Sequence, residues 1–283
     1  MFLTIGERIN ATRKSIAEAV KARNAAAIRK EADDQIHGGA LMLDVNGGTT
    51  PETEIDNLTW LVDVIARHTN APLCIDSANP QAIEAGIETL LAARASKPPA
   101  KWDIAPGMPW LLINSISAEN ERYAAVLPLV KQYNAAVVGL CMGDDAMPDS
   151  AQARAALAGQ LVARLNADGV DTSRIYIDPL ILPAGVDQAN GPAAIQAVAA
   201  IHKEHPEAHT VCGLTNISYG LPARPLLNRT FLALLISAGL DSAIVDTTNV
   251  KQNSAMLAAL ALTGRDPYCA DFIGAFRKEL LDI

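Results

Sequence analysis

Acids and amides recur at one kind of position along this chain. Asp44, Asn46, Asp76, Asn114, Asp178, Asn216 and Asp246 each fall at or just past the end of a short apolar run, and Glu7 and Asn10 follow the first such run. Carboxylates accept hydrogen bonds, whereas amides both donate and accept. Brought together, these side chains suit a ligand that presents several N–H donors beside a carbonyl. A phosphate ligand would instead want glycine-rich loops and cations. Magnesium takes carboxylate oxygens, so a metal remains open on these residues alone. Histidine adds little to that option: His202 and His205 stand three apart but precede the seventh apolar run, away from the polar ends. An Asp or Asn after a strand also commonly caps the next helix or shapes a turn. Glu7, Asn10, Asp44, Asn46 and Asp246 are the most open to such a supporting role.

The apolar runs supply the frame. Phe2–Ile5, Ala40–Leu43, Pro72–Ile75, Trp110–Ile113, Ala136–Leu140, Ile175–Ile177, Thr210–Leu214 and Ser242–Val245 read as strands buried on both faces. Long amphipathic stretches alternate with them. Pro51 suits the first turn of one helix and Pro80 that of the next. Ser150 caps another that runs towards Asn166, and Gly38–Gly39 stops the helix ending near His37. Eight strand–helix units at about 30-residue spacing predict an α/β fold, a (β/α)₈ TIM barrel, which takes about 250 residues. No GxGxxG follows the first strand, which disfavours an open dinucleotide-binding sheet. No linker divides residues 1–283, so a single barrel domain is expected. In a barrel the strand ends converge on one mouth, and the polar residues named above would share a pocket there.

Composition bounds the partners. Half of the 283 residues are hydrophobic, 19% are charged and the formal net charge is −8. An acidic chain without a basic stripe is a poor binder of nucleic acid or of an anionic membrane. The longest apolar stretch, Phe231–Leu240, is too short to span a bilayer, and charge at Glu7 and Arg8 interrupts any signal-like core. A cytoplasmic protein is expected. Cys74, Cys141, Cys212 and Cys269 are scattered, which suits buried thiols in a reducing compartment rather than a zinc or disulfide framework.

Several stretches carry a resemblance. Gly6-Glu7-Arg8-Ile9-Asn10, Leu43-Asp44-Val45-Asn46, Leu73-Cys74-Ile75-Asp76-Ser77, Ile113-Asn114-Ser115, Tyr176–Pro183, Gly213–Ser218 and Arg224–Leu232 resemble, in order, the methyltetrahydrofolate:corrinoid/iron–sulfur protein methyltransferases. The same pterin-binding barrel occurs in cobalamin-dependent methionine synthase and, more distantly, in dihydropteroate synthase. The resemblance implies a homodimer with the pterin in the mouth. It implies that Asp76, Asn114 and Asp178 hold the pterin's polar edge, with Gly213 and Ser218 also at the pterin. Asn216 would lie near the methylated 5-nitrogen, with Asp76 and Asp178 sharing the catalytic work, and Arg224 on the rim. The substrates implied are 5-methyltetrahydrofolate or tetrahydrofolate and a corrinoid (cobalamin) carried by a partner protein, with no metal bound by the chain itself.

The chemistry fits. A methyl on a tertiary amine leaves poorly unless the nitrogen's developing charge is relieved by hydrogen bonding or protonation. Asn216 can orient and stabilise, and low-valent cobalt supplies the nucleophile. Two stretches depart from the family. Arg94–Pro109 reads as a proline-rich insertion at the lower face, a stability, dimer or partner feature. The loop 143–148 at the mouth differs in charge and would tune the docking partner. A dihydropteroate synthase would want a lysine near Asn216, where this chain has an amide. A folate-binding module without turnover and a metal-dependent lyase are the other readings.

Overall fold

A computed structural model describes residues 1–95, 107–145 and 147–282. Among them, eight strands alternate with helices: β1 Leu3–Asn10, β2 Met42–Asn46, β3 Leu73–Asp76, β4 Leu111–Ser117, β5 Ala136–Leu140, β6 Ile175–Asp178, β7 His209–Thr210 and β8 Ser242–Val245. The helices are α1 Lys14–Lys21, α2 Ala25–His37, α3 Glu54–His68, α4 Pro80–Ala93, α5 Asn120–Gln132, α6 Ala151–Ala167, α7 Asn190–Glu204, α8 Arg224–Ala238, α9 Val250–Leu262 and α10 Ala270–Arg277. The strands form one parallel sheet in the order β7-β6-β5-β4-β3-β2-β1-β8. A bridge between Gly213 and Ile244, with the Ile244 N–H on the Cys212 carbonyl at 2.9 Å, brings the two edges together. The result is the expected (β/α)₈ TIM-type barrel.

Strand periodicity sorts the core into two layers. Ile5, Met42, Cys74, Leu112, Val138, Tyr176, Val211 and Ile244 pack against one another inside the barrel. Their alternating neighbours, such as Leu43, Ile75, Ile113 and Ile177, face the helices. Both faces of each strand are thus apolar, which is why the strands read as continuous hydrophobic runs.

Local signals place most helix ends. The Ser150 hydroxyl accepts the Ala153 N–H at 3.2 Å, and Asn79 accepts that of Gln81 ahead of Pro80. Gly38 caps α2, and Gly39 adopts a left-handed φ of 99°. Several boundaries differ from expectation: β2 runs Met42–Asn46 and β4 runs on to Ser117, and three more concern the site. Pro51 lies in a turn and α3 starts at Glu54, because Thr50 and Thr53 bond each other there. β1 runs on through Asn10 past a bulge between Gly6 and Ile9, so Glu7 and Asn10 belong to the strand. β7 has two residues, since Leu214–Ser218 turns into a 3₁₀ helix. Most of the Arg94–Pro109 segment lies outside the described residues. No helix among the described residues is long and apolar enough to cross a membrane.

Candidate active site

The polar strand ends are in phase with the barrel interior. Glu7 follows Ile5 by two residues, Asp44 follows Met42, Asp76 follows Cys74, Asn114 follows Leu112, Asp178 follows Tyr176 and Asp246 follows Ile244. A strand turns its side chain every second residue, so each of these continues an inward file up to the mouth. There they line a cleft of about 800 Å³. Glu7 and Asn10 contribute from β1, Asp44 from β2, Asp76 from β3, Asn114 from β4 and Asp178 from β6; Gly213, Asn216, Arg224 and Asp246 contribute from the closing side. Asp76 and Asn114 are register partners on β3 and β4.

Burial sets the character of the acids. It pushes Asp178 up to about 6, against the N–H groups of Leu180 and Gly213 and the charge of Arg154. It pushes Glu7 up to about 7, opposed by Arg13 and reinforced by Asp246. Asp76 is raised by burial while the Asn46 amide and Arg122 pull the other way. Asp44 is raised well above the ordinary range by burial and by the Asp76 charge, while hydrogen bonds with Cys74 and Asn114 pull the other way. Asp246 behaves differently. Burial opposes its ionisation, but Thr248 (2.6 and 3.0 Å) and Arg8 (3.1 Å) outweigh it and hold its pKa below the usual value.

Two expected site residues do not line the cleft. Asn46 stands behind Asp76, donating to its Oδ2 at 2.9 Å and accepting the Gly48 N–H. Ser218 is fully buried below the rim, where its hydroxyl accepts Arg224 Nε at 3.1 Å. Arg224 also donates to the Thr215 carbonyl at 2.9 Å, so the guanidinium clamps the loop that carries Asn216. Arg229, in contrast, lies in a separate groove with Lys251 and Phe272.

Six further polar residues at the cleft escape strand-end reasoning: Thr12, Arg13, Thr215, Asn228, Asn249 and Gln252. Thr215 bonds Glu7 (3.4 Å), and Arg13 pairs with the same carboxylate at 3.5 Å. Asn228 and Gln252 come from near the starts of α8 and α9, which face the mouth because they follow the strands. Position after a strand could have suggested them. Among the described residues, no three His, Cys, Asp or Glu side chains are placed to hold a metal ion.

A cleft floored by carboxyl and amide groups and edged by Arg13 and Arg224 can take a flat heterocycle with N–H donors on one edge and an anionic tail at the rim. Comparison with known proteins agrees with the first part. The model of the family described as "Pterin binding enzyme" matches residues 6–246. The chain is 30% identical over 278 residues to the methylcorrinoid:tetrahydrofolate methyltransferase of Eubacterium limosum, covering 98% of this chain and 96% of that one. It is 31% identical over 261 residues to methionine synthase of Mycobacterium tuberculosis (strain ATCC 25618 / H37Rv), covering 88% of this chain but 20% of that protein. Among solved structures, a Coxiella burnetii dihydropteroate synthase in complex with pteroic acid shares the fold: TM-score 0.66, 14% identity, 94% of each chain.

Proposed function

The chain belongs to the pterin-binding enzyme family, and on that premise we propose that it is a methyltransferase that moves a methyl group between the 5-nitrogen of tetrahydrofolate and the cobalt of a corrinoid carried by a partner protein. The whole of residues 1–283 serves as one barrel domain. It works as a homodimer in the cytosol.

One observation carries the reading. The floor of the cleft is built from Asp44, Asp76 and Asn114 on the adjacent strands β2, β3 and β4 and from Asp178 on β6, with the Asn216 amide on the closing side. Such a floor suits the N–H edge of a pterin. The methyltransferase relative, matched along nearly its whole length, supports the reaction type.

The residues divide the work accordingly. Asp76, Asn114 and Asp178 accept from the pterin ring and fix its plane, and Gly213 leaves room beside it. Asn216 meets the 5-nitrogen. In the forward direction the carbon–nitrogen bond breaks with its electron pair left on nitrogen, while Co(I) supplies the pair for the new bond to carbon. A proton at the 5-nitrogen makes the amine a better leaving group. Glu7, held near 7 and bonded to Thr215 beside Asn216, fits a relay for that proton. Arg224 and Arg13 meet the acidic folate tail.

The test is methyl transfer from 5-methyltetrahydrofolate to Co(I) cobalamin under anoxic conditions, followed by cobalt absorbance. Wild type should turn over. Asn216→Ala should lose about 10²–10³-fold in rate while still binding folate, and Asp178→Asn should lose folate affinity. Folate binding without cobalt methylation in either direction, even with corrinoid proteins supplied, would reduce the chain to a binding module. A dihydropteroate synthase would instead join a pterin pyrophosphate to 4-aminobenzoate in a parallel assay.

A further inference from the structure

Among the described residues, two of those lining the cleft have a side-chain oxygen that is sealed from solvent and lacks a hydrogen-bond partner: Oδ1 of Asp44 and Oδ1 of Asn228. The two differ in remedy. Asp44 can shed its charge, since burial pushes its carboxyl well above the ordinary range. An amide does not titrate. Asn228 keeps its acceptor and its two N–H donors whatever the protonation of the site. A buried acceptor left unmet costs free energy that an apolar side chain of the same shape would not. Leucine has nearly that shape, and α8 is otherwise rich in it. An amide at this position therefore calls for a partner from outside the chain.

Helical register says where that partner lies. Residues three or four apart share a face, so Arg224, Asn228, Phe231 and Leu235 form one file along α8. At its upper end Arg224 lines the cleft and holds the Thr215 carbonyl at 2.9 Å. At its lower end Phe231 and Leu235 share an apolar cluster with Leu214 and Ile217, from the 3₁₀ turn that carries Asn216. Asn228 stands between, one turn below the rim arginine, where the polar mouth gives way to the core. It is only 7% exposed, yet it lines the cleft. The last torsion of an asparagine is broad and roughly two-fold. Either end of the amide can thus be turned to a ligand without moving the helix.

We infer that Asn228 is a further substrate-contacting residue: a second amide, on the same side of the cleft as Asn216, for the edge of the pterin that carries the reacting nitrogen. The inference rests on the pterin reading and adds a residue to it. That edge changes character during methyl transfer. With its methyl, the 5-nitrogen offers a lone pair; without it, the nitrogen bears an N–H. The neighbouring 4-carbonyl accepts throughout. A carboxylate could serve only the N–H, whereas an amide serves donor and acceptor alike. Asp76, Asn114 and Asp178 remain the partners of the opposite edge.

The experiment measures binding of two ligands, 5-methyltetrahydrofolate and the tail-less 6-methyltetrahydropterin, by anoxic fluorescence titration in wild type, Asn228→Leu and Asn228→Ala. Thermal unfolding of the ligand-free proteins accompanies it. N228L should bind both ligands about tenfold more weakly, the worth of one hydrogen bond. Ligand-free N228L should unfold at or above the wild-type temperature, because it no longer buries an unmet acceptor. A merely structural amide gives the reverse pattern: a lower unfolding temperature with both affinities kept. N228A adds no bulk and should show the same loss of affinity, which covers the case in which leucine does not fit. Unchanged affinity for both ligands in both variants overturns the inference. A loss confined to the tailed folate also overturns it, because the contact would then be to the tail and not to the ring. A wild type that binds neither ligand sinks the pterin reading, and this contact with it; a wild type and variants that all bind equally well sink the contact alone.

Discussion

Asn46 on β2 donates its side-chain N–H to Oδ2 of Asp76 on β3 at 2.9 Å, although Asn46 itself does not line the cleft. The same amide's oxygen accepts the Gly48 N–H at 2.9 Å, which fixes its flip state. Asp76 is therefore aimed by a neighbour with no rotational freedom left. Hydrogen bonds to charged groups are worth about 1.5–3 kcal/mol. Asn46→Ala should weaken folate binding by about tenfold or more, with the rate of bound substrate much less affected. Fluorescence titration beside single-turnover kinetics separates the two. An equal loss in the chemical step with unchanged affinity would mean that Asn46 acts in catalysis rather than through Asp76.

Glu7 makes a prediction about pH. Its carboxyl ionises near 4.5 in the unfolded chain and near 7 in the fold, chiefly through burial. Between those values the folded state holds a proton that the unfolded state has lost, so this group's contribution to stability falls as pH rises from about 4.5 through 7. The size is roughly 3 kcal/mol at most. Glu7→Gln removes the penalty. The difference in unfolding free energy between variant and wild type, measured in urea, should be near zero below pH 4.5 and grow in the variant's favour up to pH 7 and beyond. Methyl transfer should respond oppositely: the variant should be slower, and its rate should lose the limb near pH 7. A variant as fast as wild type across that range would remove Glu7 from the proton relay.

The barrel and most of this mouth were legible because both rest on strand periodicity. Asp44, Asp76, Asn114, Asp178 and Asp246 share the phase of buried apolar residues two positions earlier, so an end-of-strand acid is also an inward-facing acid. Ser218 shows the limit. Its run follows β7 as Asn216 does, but the 3₁₀ turn Leu214–Ser218 sends Asn216 to the cleft and Ser218 beneath it. A turn's handedness is not written in an apolar pattern. Arg13, Asn228 and Gln252 were missed for a related reason: they sit at or near helix starts, where polar residues are ordinary. Arg154 stands on α6 among alanines and leucines, and nothing in that pattern signals that the charged residue is fully buried against the barrel.

Gly47 links packing to the site. A Cβ there would stand 2.4 Å from the backbone nitrogen of Leu58 and 2.6 Å from its Cα, atoms that belong to α3 and cannot swing aside. The helix packs against the strand end at this point because residue 47 has no side chain. Gly47→Ala must push α3 outward or displace the segment that carries Asn46. Overpacking of this kind costs about 1–3 kcal/mol. Denaturant unfolding should show that loss, and folate affinity should fall with it, since Asn46 is the adjacent residue. A destabilised protein with unchanged affinity would show that the strain is taken up by the helix alone.

Ser218 and Arg224 should act as one unit. The hydroxyl accepts Arg224 Nε at 3.1 Å, and the same guanidinium reaches the Thr215 carbonyl at 2.9 Å, next to Asn216. Ser218 is buried and has no view of the cleft, whereas Arg224 lines it. Any effect of Ser218 on substrate must therefore pass through the arginine. Arg224→Ala should raise KM for methyltetrahydrofolate by about tenfold through loss of a rim cation for the acidic tail, an effect of about 1.4 kcal/mol, with kcat reduced less. Ser218→Ala should show a smaller rise of the same kind. The double variant should equal Arg224→Ala alone, since contacting residues that serve one function are not additive. Additive losses in the double-mutant cycle would give Ser218 a contact with substrate of its own, which its position beneath the loop denies it.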